Sequence, residues 1–411
     1  MKGGSLPMSK LFFLGLPAHG HINPTLGLVR ELTELGEQVI YYSFDAFRSG
    51  IEAAGAEFRR YPLNPANFDA NQITQDFAIL YRTLIEAASK LLPGLLEEIQ
   101  REKPDYIIHD SLAVYGKYAG LLSGIPCVNS VTTLAFPDRF YLLPPNILWS
   151  SIKLALFHPR NAYLGYSRHR KLIREMGITK ANMLDAFMNK EELNIVYTSD
   201  ELQPNRRFFG QEFLFVGPSI SGRTASELDI KLKELLEMER PLIYISLGTI
   251  NNHDFSFYHA CLEAFADPNF SVLMSVGSAV DISGLEVPEH VVIRRSLPQL
   301  EILKRADLFI THGGMNSVHE GLWFGVPLIL IPQQEEQRAV ALRVQKLGAG
   351  MVLKRKGAGD ITQAVHKVLT HPAYRLRSRQ LGDGLKEAGG APRAASQIKA
   401  YMMNRCVEER V

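Results

Sequence analysis

The sequence predicts an α/β protein made of two Rossmann-like domains facing across a cleft. Three observations lead there. Short apolar runs alternate with amphipathic helical patterns, and the opening reads strand, turn, helix, strand, the start of a parallel doubly wound sheet. The alternation begins afresh near residue 242. Finally, 411 residues are too many for one core and suit two domains of roughly 200 residues each.

In chain order, KLFFLGL (10–16) is the first buried strand, followed by the loop PAHGHINP. TLGLVRELTELG is a helix closing on Gly36, with Asn23 as N-cap and Pro24 at the first helical position. QVIYYSF is the second strand. A helix in SGIEAAG, a strand around AEFRRYP, a long helix over 75–101 and the strand DYIIHD continue the rhythm. A helix to about Ser123 and the strand IPCVNSV come next. Residues 134–190 break the pattern: Phe136, Tyr141, Trp149, Phe157, Tyr163 and Phe187 stand among prolines and basic residues, and read as an inserted helical region. Strands return at NIVYTS and FLFVGP.

The stretch 218–239, with Ser, Gly and a charged helix, reads as a linker. The second series runs through LIYISLGT, SVLMSV, VVIRR, LPQLEILKRA, DLFIT and VPLILIP. Helices near 334–347 and 360–389 precede a last helix over about 391–407. The expected division is 8–217, the linker 218–239, 240–390, and a final helix in 391–411. Residues 1–7 are set aside as an alternative start before Met8.

Apolar residues make up 46% and charged residues 21% of the chain, and the net charge is +2. Nothing in that balance favours nucleic acid or an anionic membrane as main partner. Cys127, Cys261 and Cys406 are odd in number, far apart and without metal spacing, as expected of reduced thiols in a cytoplasm. The most apolar stretch, 142–157, is broken by prolines and a lysine, so no stable membrane insertion is expected. The N-terminus has no apolar signal core.

The stretch DLFITHGGMNSVHEGLWFGVPLILIPQQEEQ (307–337) carries the donor chemistry. It reads as a strand, a glycine turn, a helix, a second buried strand and the start of another helix. Gly313 and Gly314 let backbone approach a ligand, and the helix that follows aims its first N–H groups at the same spot, a geometry that accepts a diphosphate. His312 stands beside the turn, within reach of a phosphate. Glu320, one turn into the helix, is placed for a ribose hydroxyl, and Glu336 and Gln337 for the same rim. A lone glycine turn is weak evidence. Here Pro298, Gln299, His312, Asn316, Ser317, Glu320, Pro327, Pro332 and an acid–Gln pair stand in fixed order.

With these landmarks the segment resembles the donor signature of bacterial family 1 UDP-glycosyltransferases, the macrolide- and flavonoid-modifying group. Plant members carry Cys-Gly-Trp where this chain has Gly313, Gly314 and Met315. The resemblance implies the GT-B fold, a final helix crossing back onto the first domain, and a UDP-sugar as co-substrate with no further cofactor. It places Gln299 and its neighbours along the uracil, and Glu336 and Gln337 on sugar hydroxyls. Animal relatives carry a membrane tail that this sequence lacks, which groups it with the soluble bacterial members.

His19 and His21 lie in the loop after the first strand, at the sheet edge where open α/β sheets bind ligands. A histidine there can deprotonate an acceptor hydroxyl near neutral pH. The GH(I/V)NP element of the family stands here as Gly20, His21, Ile22, Asn23 and Pro24. The base role therefore falls on His21, and His19 is left as a wall or structural residue. The competing reading is a histidine that caps the following helix. Asp110, ending DYIIHD at the same edge, is the expected orienting carboxylate, and resemblance points to it as well. Its rival role is N-cap of the helix after Ser111. His109 is expected to point the opposite way.

No Asp-x-Asp triplet or histidine cluster at metal spacing exists, so no metal is expected to hold the diphosphate. Leaving UDP is expected to meet the N–H groups of Met315, Asn316 and Ser317, the Ser317 hydroxyl and His312, with Ser246 and Thr249 adding contacts from the opposite wall. The plainer readings are a helix cap for Asn316, an ordinary turn for Ser246 and a helix-surface acid for Glu320.

Together these features describe a metal-independent inverting O-glycosyltransferase with a hydrophobic small-molecule acceptor such as a polyphenol or macrolide, and glucose as the expected sugar. The rivals are a GT-B epimerase or phosphorylase, and a helper protein that keeps the pocket but has lost the chemistry.

Overall fold

The computed structural model describes residues 9–65, 77–137, 159–182, 185–187, 189–220, 229–248, 254–277, 280 and 286–408. Apolar runs of three to six residues form its strands, and they collect into two sheets in which every pairing is parallel. The first sheet holds β1 (Lys10–Leu14), β2 (Gln38–Ser43), β3 (Glu57–Arg60), β4 (Tyr106–Asp110), β5 (Cys127–Val131), β6 (Asn194–Val196) and β7 (Phe213–Phe215), in the order β3-β2-β1-β4-β5-β6-β7. The second holds β8 (Leu242–Ser246), β9 (Ser271–Ser275), β10 (Val291–Arg294), β11 (Leu308–Thr311), β12 (Leu328–Leu330) and β13 (Gly350–Val352), in the order β10-β9-β8-β11-β12-β13. Two compact units result, one of residues 1–221 with 388–411 and one of residues 222–387.

The helices of the first unit are α1 (His19–Ile22), α2 (Leu26–Glu34), α3 (Arg48–Ala53), α4 (Phe77–Glu102), α5 (Val114–Ser123) and α6 (Pro159–Glu175). Those of the second are α7 (Ile230–Glu237), α8 (Phe255–Ala264), α9 (Gln299–Leu303), α10 (Met315–Trp323), α11 (Glu335–Leu347), α12 (Ala358–Thr370) and α13 (Pro372–Glu387). The last helix, α14 (Gly390–Glu408), belongs to the first unit.

Alternation along β1 sends Phe12 and Leu14 to one face of the sheet, under α4 and α5, and Leu11 and Phe13 to the other. On that second face Leu28, Val29 and Leu32 of α2 pack with Ala394, Ala395 and Ile398 of α14. Both faces are covered, which explains why these strands read as continuous apolar runs rather than as alternating ones.

Several expectations need correction. Asn23 is not an N-cap: the chain is already helical at His19, and Asn23–Thr25 is a 3₁₀ turn that takes up Pro24, which has no N–H to donate, before α2 begins. The single helix expected over 360–389 is two, because His371 precedes Pro372 and is held extended at φ −105, ψ 100. Strand β13 was not anticipated. It has three residues and begins with Gly350, where an added Cβ would sit 2.3 Å from the Leu328 carbonyl oxygen, so the position that pairs most closely shows no side chain to a pattern search.

Candidate active site

The first sheet reverses its winding between β1 and β4, and the second between β8 and β11. Loops leave such points in opposite directions and open a crevice at the carboxyl ends of the strands. The candidate residues gather at these two places.

At the first, His21 lies in α1 just past β1, and Asp110 is the last residue of β4. His21 Nδ1 is 2.8 Å from Asp110 Oδ2, and the two side chains are 13% and 2% exposed. The other carboxylate oxygen, Oδ1, accepts the Leu112 N–H at 2.8 Å. The two roles weighed for Asp110 thus divide between its oxygens: one orients the imidazole and one closes the turn. It does not cap α5, whose N-cap is Ala113 with no side-chain hydrogen bond. His19 is exposed and meets the Phe47 ring edge-on at 4.9 Å, as fits a wall residue. His109 turns to the opposite face, with its Cβ against Gly116 of α5.

At the second, Ser246 ends β8 rather than lying in the turn after it, and pairs in register with Thr311 of β11. Thr249 lies outside the described residues. Gly313 takes φ +82, which only glycine adopts cheaply, and turns the chain from β11 into α10. The N-cap of α10 is Gly314, with no side-chain cap bond, so Asn316 is not the cap; Met315, Asn316 and Ser317 form the first turn. A helix start of this kind favours an anion.

The His312 ring occupies space left by two glycines. A Cβ on Gly248 would come within 2.7 Å of it, and one on Gly314 within 2.4 Å. Burial pushes the His312 pKa down to about 4, opposed by a hydrogen bond to the Ser246 backbone, so the imidazole is neutral at pH 7.

Glu320 is 5% exposed, not a helix-surface acid. Its Oε2 accepts from Gln299 Nε2 at 2.5 Å, and Gln299 Oε1 accepts from the Tyr244 hydroxyl at 3.2 Å. The residues expected on uracil and ribose therefore bond directly to each other. Glu336 and Gln337 occupy the first turn of α11, where Gln337 Oε1 accepts the Gln333 N–H at 2.9 Å. A Cβ on Gly313 would lie 3.3 Å from the Gln337 carbonyl oxygen, which sets the glycine turn beside the start of α11.

Residues 262–397 match the family model described as the erythromycin biosynthesis protein CIII-like C-terminal domain. The NDP-glycosyltransferase YjiC of Bacillus subtilis is 36% identical over 403 residues, covering 96% of this chain and 98% of that protein. The chain belongs to the bacterial family 1 glycosyltransferases. The uncharacterized UDP-glucosyltransferase YojK of the same organism is 32% identical, with 95% and 97% of the two chains covered. Among solved structures, the calicheamicin glycosyltransferase superposes with a TM-score of 0.81 at 26% identity, over 97% of this chain and 99% of that one.

This glycosyltransferase also holds a residue that sequence reasoning missed. Thr132, 3% exposed, sits just past β5 with its hydroxyl 2.9 Å from His21 Nδ1 and 3.4 Å from Asp110 Oδ2. The signal was available: β5 is the neighbour of β4, and Asp110 pairs in register with Ser130, two residues before Thr132. A cavity opens beside this triangle, lined by Ser111, Leu112, Thr133, Leu134, Phe136 and Phe187 among others. Asn189, 1% exposed, also lines it, and its side-chain amide has no hydrogen-bond partner among the described residues. No helix among the described residues is long and apolar enough to cross a membrane.

Proposed function

We propose that this glycosyltransferase moves glucose from UDP-glucose to a hydroxyl of a hydrophobic small molecule, with inversion and without a metal ion. The observation that carries the reading is the contact of His21 Nδ1 with Asp110 Oδ2. An ionised carboxylate there draws the imidazole proton to Nδ1 and leaves the lone pair on Nε2, the tautomer a general base needs. The acceptor O–H proton passes to Nε2 as the oxygen forms its bond to the anomeric carbon. The bond from that carbon to UDP breaks on the opposite face, with its electron pair leaving on the diphosphate. An α-linked donor thus yields a β-glycoside.

For the leaving group, the reading relies on the start of α10, the Ser317 hydroxyl and His312 as a neutral hydrogen-bonding partner. A neutral imidazole suits a diphosphate that must be released after transfer. For the acceptor, it relies on the aromatic and aliphatic lining beside Thr133, with Asn189 as a polar end. Two relatives named for the molecules they glycosylate fit such an acceptor: a demethyllactenocin mycarosyltransferase of Streptomyces fradiae and an oleandomycin glycosyltransferase of Streptomyces antibioticus, both 28% identical.

The test is turnover of UDP-glucose with a panel of phenols and alcohols, with and without a chelator. UDP release only when an acceptor is present, a β-linked product and indifference to the chelator are expected. Release without an acceptor, an α-linked product, or activity restored by magnesium or manganese would each overturn the corresponding part.

A further inference from the structure

On the sheet face away from the His21–Asp110 pair, three residues far apart in sequence come together. A His109 ring nitrogen, Cys127 Sγ and a Glu191 carboxylate oxygen all lie within 4.8 Å of one another, and His109 Nε2 is 3.2 Å from Glu191 Oε1. We propose that His109, Cys127 and Glu191 form a thiolate-containing site for a divalent zinc ion, separate from the glycosyl-transfer machinery.

The site is built by the fold. Ile107 of β4 pairs in register with Cys127 of β5, so His109 and Cys127 stand diagonally on one face of adjacent strands. Helix α5 crosses them with glycines one turn apart: a Cβ on Gly116 would lie 2.4 Å from His109 Cβ, and one on Gly120 only 2.1 Å from Cys127 Sγ. Those two missing side chains seat the imidazole and the thiol. The backbone of Glu191 is clamped by Asn194, which accepts its N–H at 3.0 Å and donates to its carbonyl at 2.7 Å.

The hydrogen bonding of His109 calls for a cation. The ring is fully buried, and Nδ1 lies 3.2 Å from the Asp110 carbonyl oxygen while Nε2 lies 3.2 Å from Glu191 Oε1. Both neighbours are acceptors, and a neutral imidazole has only one N–H. Whichever nitrogen carries it, the other directs a lone pair at an oxygen. Metal-binding histidines commonly donate the other ring N–H to a backbone carbonyl. With Nδ1–H on Asp110, an ion between Nε2 and Glu191 removes the conflict.

The His109–Glu191 distance and the charge agree. Ligands about 2.0–2.1 Å from zinc in a tetrahedron lie about 3.3 Å apart, close to the 3.2 Å between His109 Nε2 and Glu191 Oε1, while Cys127 Sγ, within 4.8 Å of both, has to meet the spacing of about 3.6 Å that a thiolate needs. Thiolate and carboxylate together neutralise the ion. The other charged groups facing the site are Lys117, Asp185 and Arg405. Lys117 Nζ sits 3.5 Å from Asp185 Oδ1 and 3.9 Å from Glu191 Oε1, and is anchored on the Lys190 carbonyl at 2.8 Å. Its charge is thus met by Asp185, and Arg405 acts on the thiol from a distance. A cysteine binds zinc as its thiolate, so binding must release a proton. Thiolate with imidazole selects zinc over magnesium or calcium.

The probe is cobalt(II), added to the chelator-stripped full chain under reducing conditions. One equivalent should give a sulfur-to-cobalt charge-transfer band, and zinc should erase it. Cys127→Ser should abolish the band, and Glu191→Gln, at the partly buried rim, should weaken binding about tenfold or more. Zinc should raise the thermal midpoint of the wild type and leave that of Cys127→Ser unchanged, while transfer activity is the same with and without metal. A folded wild type without the band, or a band that persists in Cys127→Ser, overturns the site.

Discussion

Replacing Asp110 by Asn tests the proposed base more sharply than removing the base itself, because the shape of the site is kept. Asp110 Oδ1 is committed to the Leu112 N–H, so an asparagine that keeps this bond turns its NH₂ toward His21 Nδ1. That donor stabilises the tautomer with the proton on Nε2, which cannot accept another. The flipped amide would instead strand the partly buried Leu112 N–H, at a cost of up to about 1–3 kcal/mol. The variant also loses the charge that steadies the imidazolium. Across the 2.8 Å contact, at an effective dielectric constant of about 20, that attraction is about 6 kcal/mol before solvent returns part of it.

General-base help is worth about 10²–10⁴ in rate, and an amide in place of the orienting acid of a catalytic triad costs about 10⁴. A fall in kcat of about 10³–10⁴ is expected, or about 4–5.5 kcal/mol at 1.36 kcal/mol per decade. The assay is UDP release with acceptors graded from alcohol to nitrophenol, beside calorimetry of UDP. The loss should shrink as the acceptor becomes more acidic and needs less help, and UDP affinity should hold. Turnover within about threefold of wild type on a simple alcohol, less than about 0.7 kcal/mol, would refute the reasoning.

His21→Ala should cost on the order of a hundredfold or more with alcohols and leave UDP binding intact, measured by the same pair of assays. Thr132→Val should lower kcat and shift the acidic limb of its pH profile with little change in KM, while Thr132→Ser restores both; an unmoved profile would make Thr132 a packing residue. Glu320→Ala should weaken UDP itself in calorimetry, through Gln299 and the ribose. Glu336→Ala should reduce UDP-glucose turnover more than UDP affinity, and the opposite pattern would misplace the sugar. Burial lowers His169 to about 4, His312 to about 4 and His319 to about 3, so between pH 6.5 and 4 the unfolded chain binds protons that the folded chain refuses. The thermal midpoint should therefore fall as pH drops through that window, and a flat profile in thermal melts would contradict it.

What the sequence disclosed and what it hid have physical reasons. Strands β1, β4, β8 and β11 are buried on both faces and so appear as unbroken apolar runs, while the glycine turn at 313 and 314 is fixed by backbone conformation that few residues permit. The His21–Asp110 pairing was legible because one follows a strand and the other ends one, and strand ends share an edge. Thr132 was hidden because its role depends on which strand neighbours β4, which no local pattern states. The plainer alternatives for Asn316 and Glu320, a cap and a surface acid, fail in the structure, and they could not be separated beforehand from a first-turn residue and a buried acid until the helix start is known to one residue. The His109, Cys127 and Glu191 group was invisible for the same reason as Thr132: parallel pairing, not sequence spacing, gathers it.

The two switch points solve different chemical problems with one device. In each sheet, neighbouring strands end side by side and their loops part, so side chains from distant segments converge without a dedicated scaffold. In the first unit that convergence brings an imidazole to a carboxylate that is 2% exposed, where the pair is little screened by water. In the second it brings a glycine turn, a helix start and an imidazole kept neutral by burial to one edge. The first arrangement favours taking a proton, and the second favours meeting a diphosphate with hydrogen bonds instead of a fixed positive charge. A lysine or arginine at position 312 would hold the nucleotide more tightly in substrate and product alike, which raises affinity without lowering the barrier. Under the proposed function the neutral histidine would avoid that uniform binding, and the glycines at 248 and 314 that make room for its ring would belong to the donor site although neither has a side chain to offer.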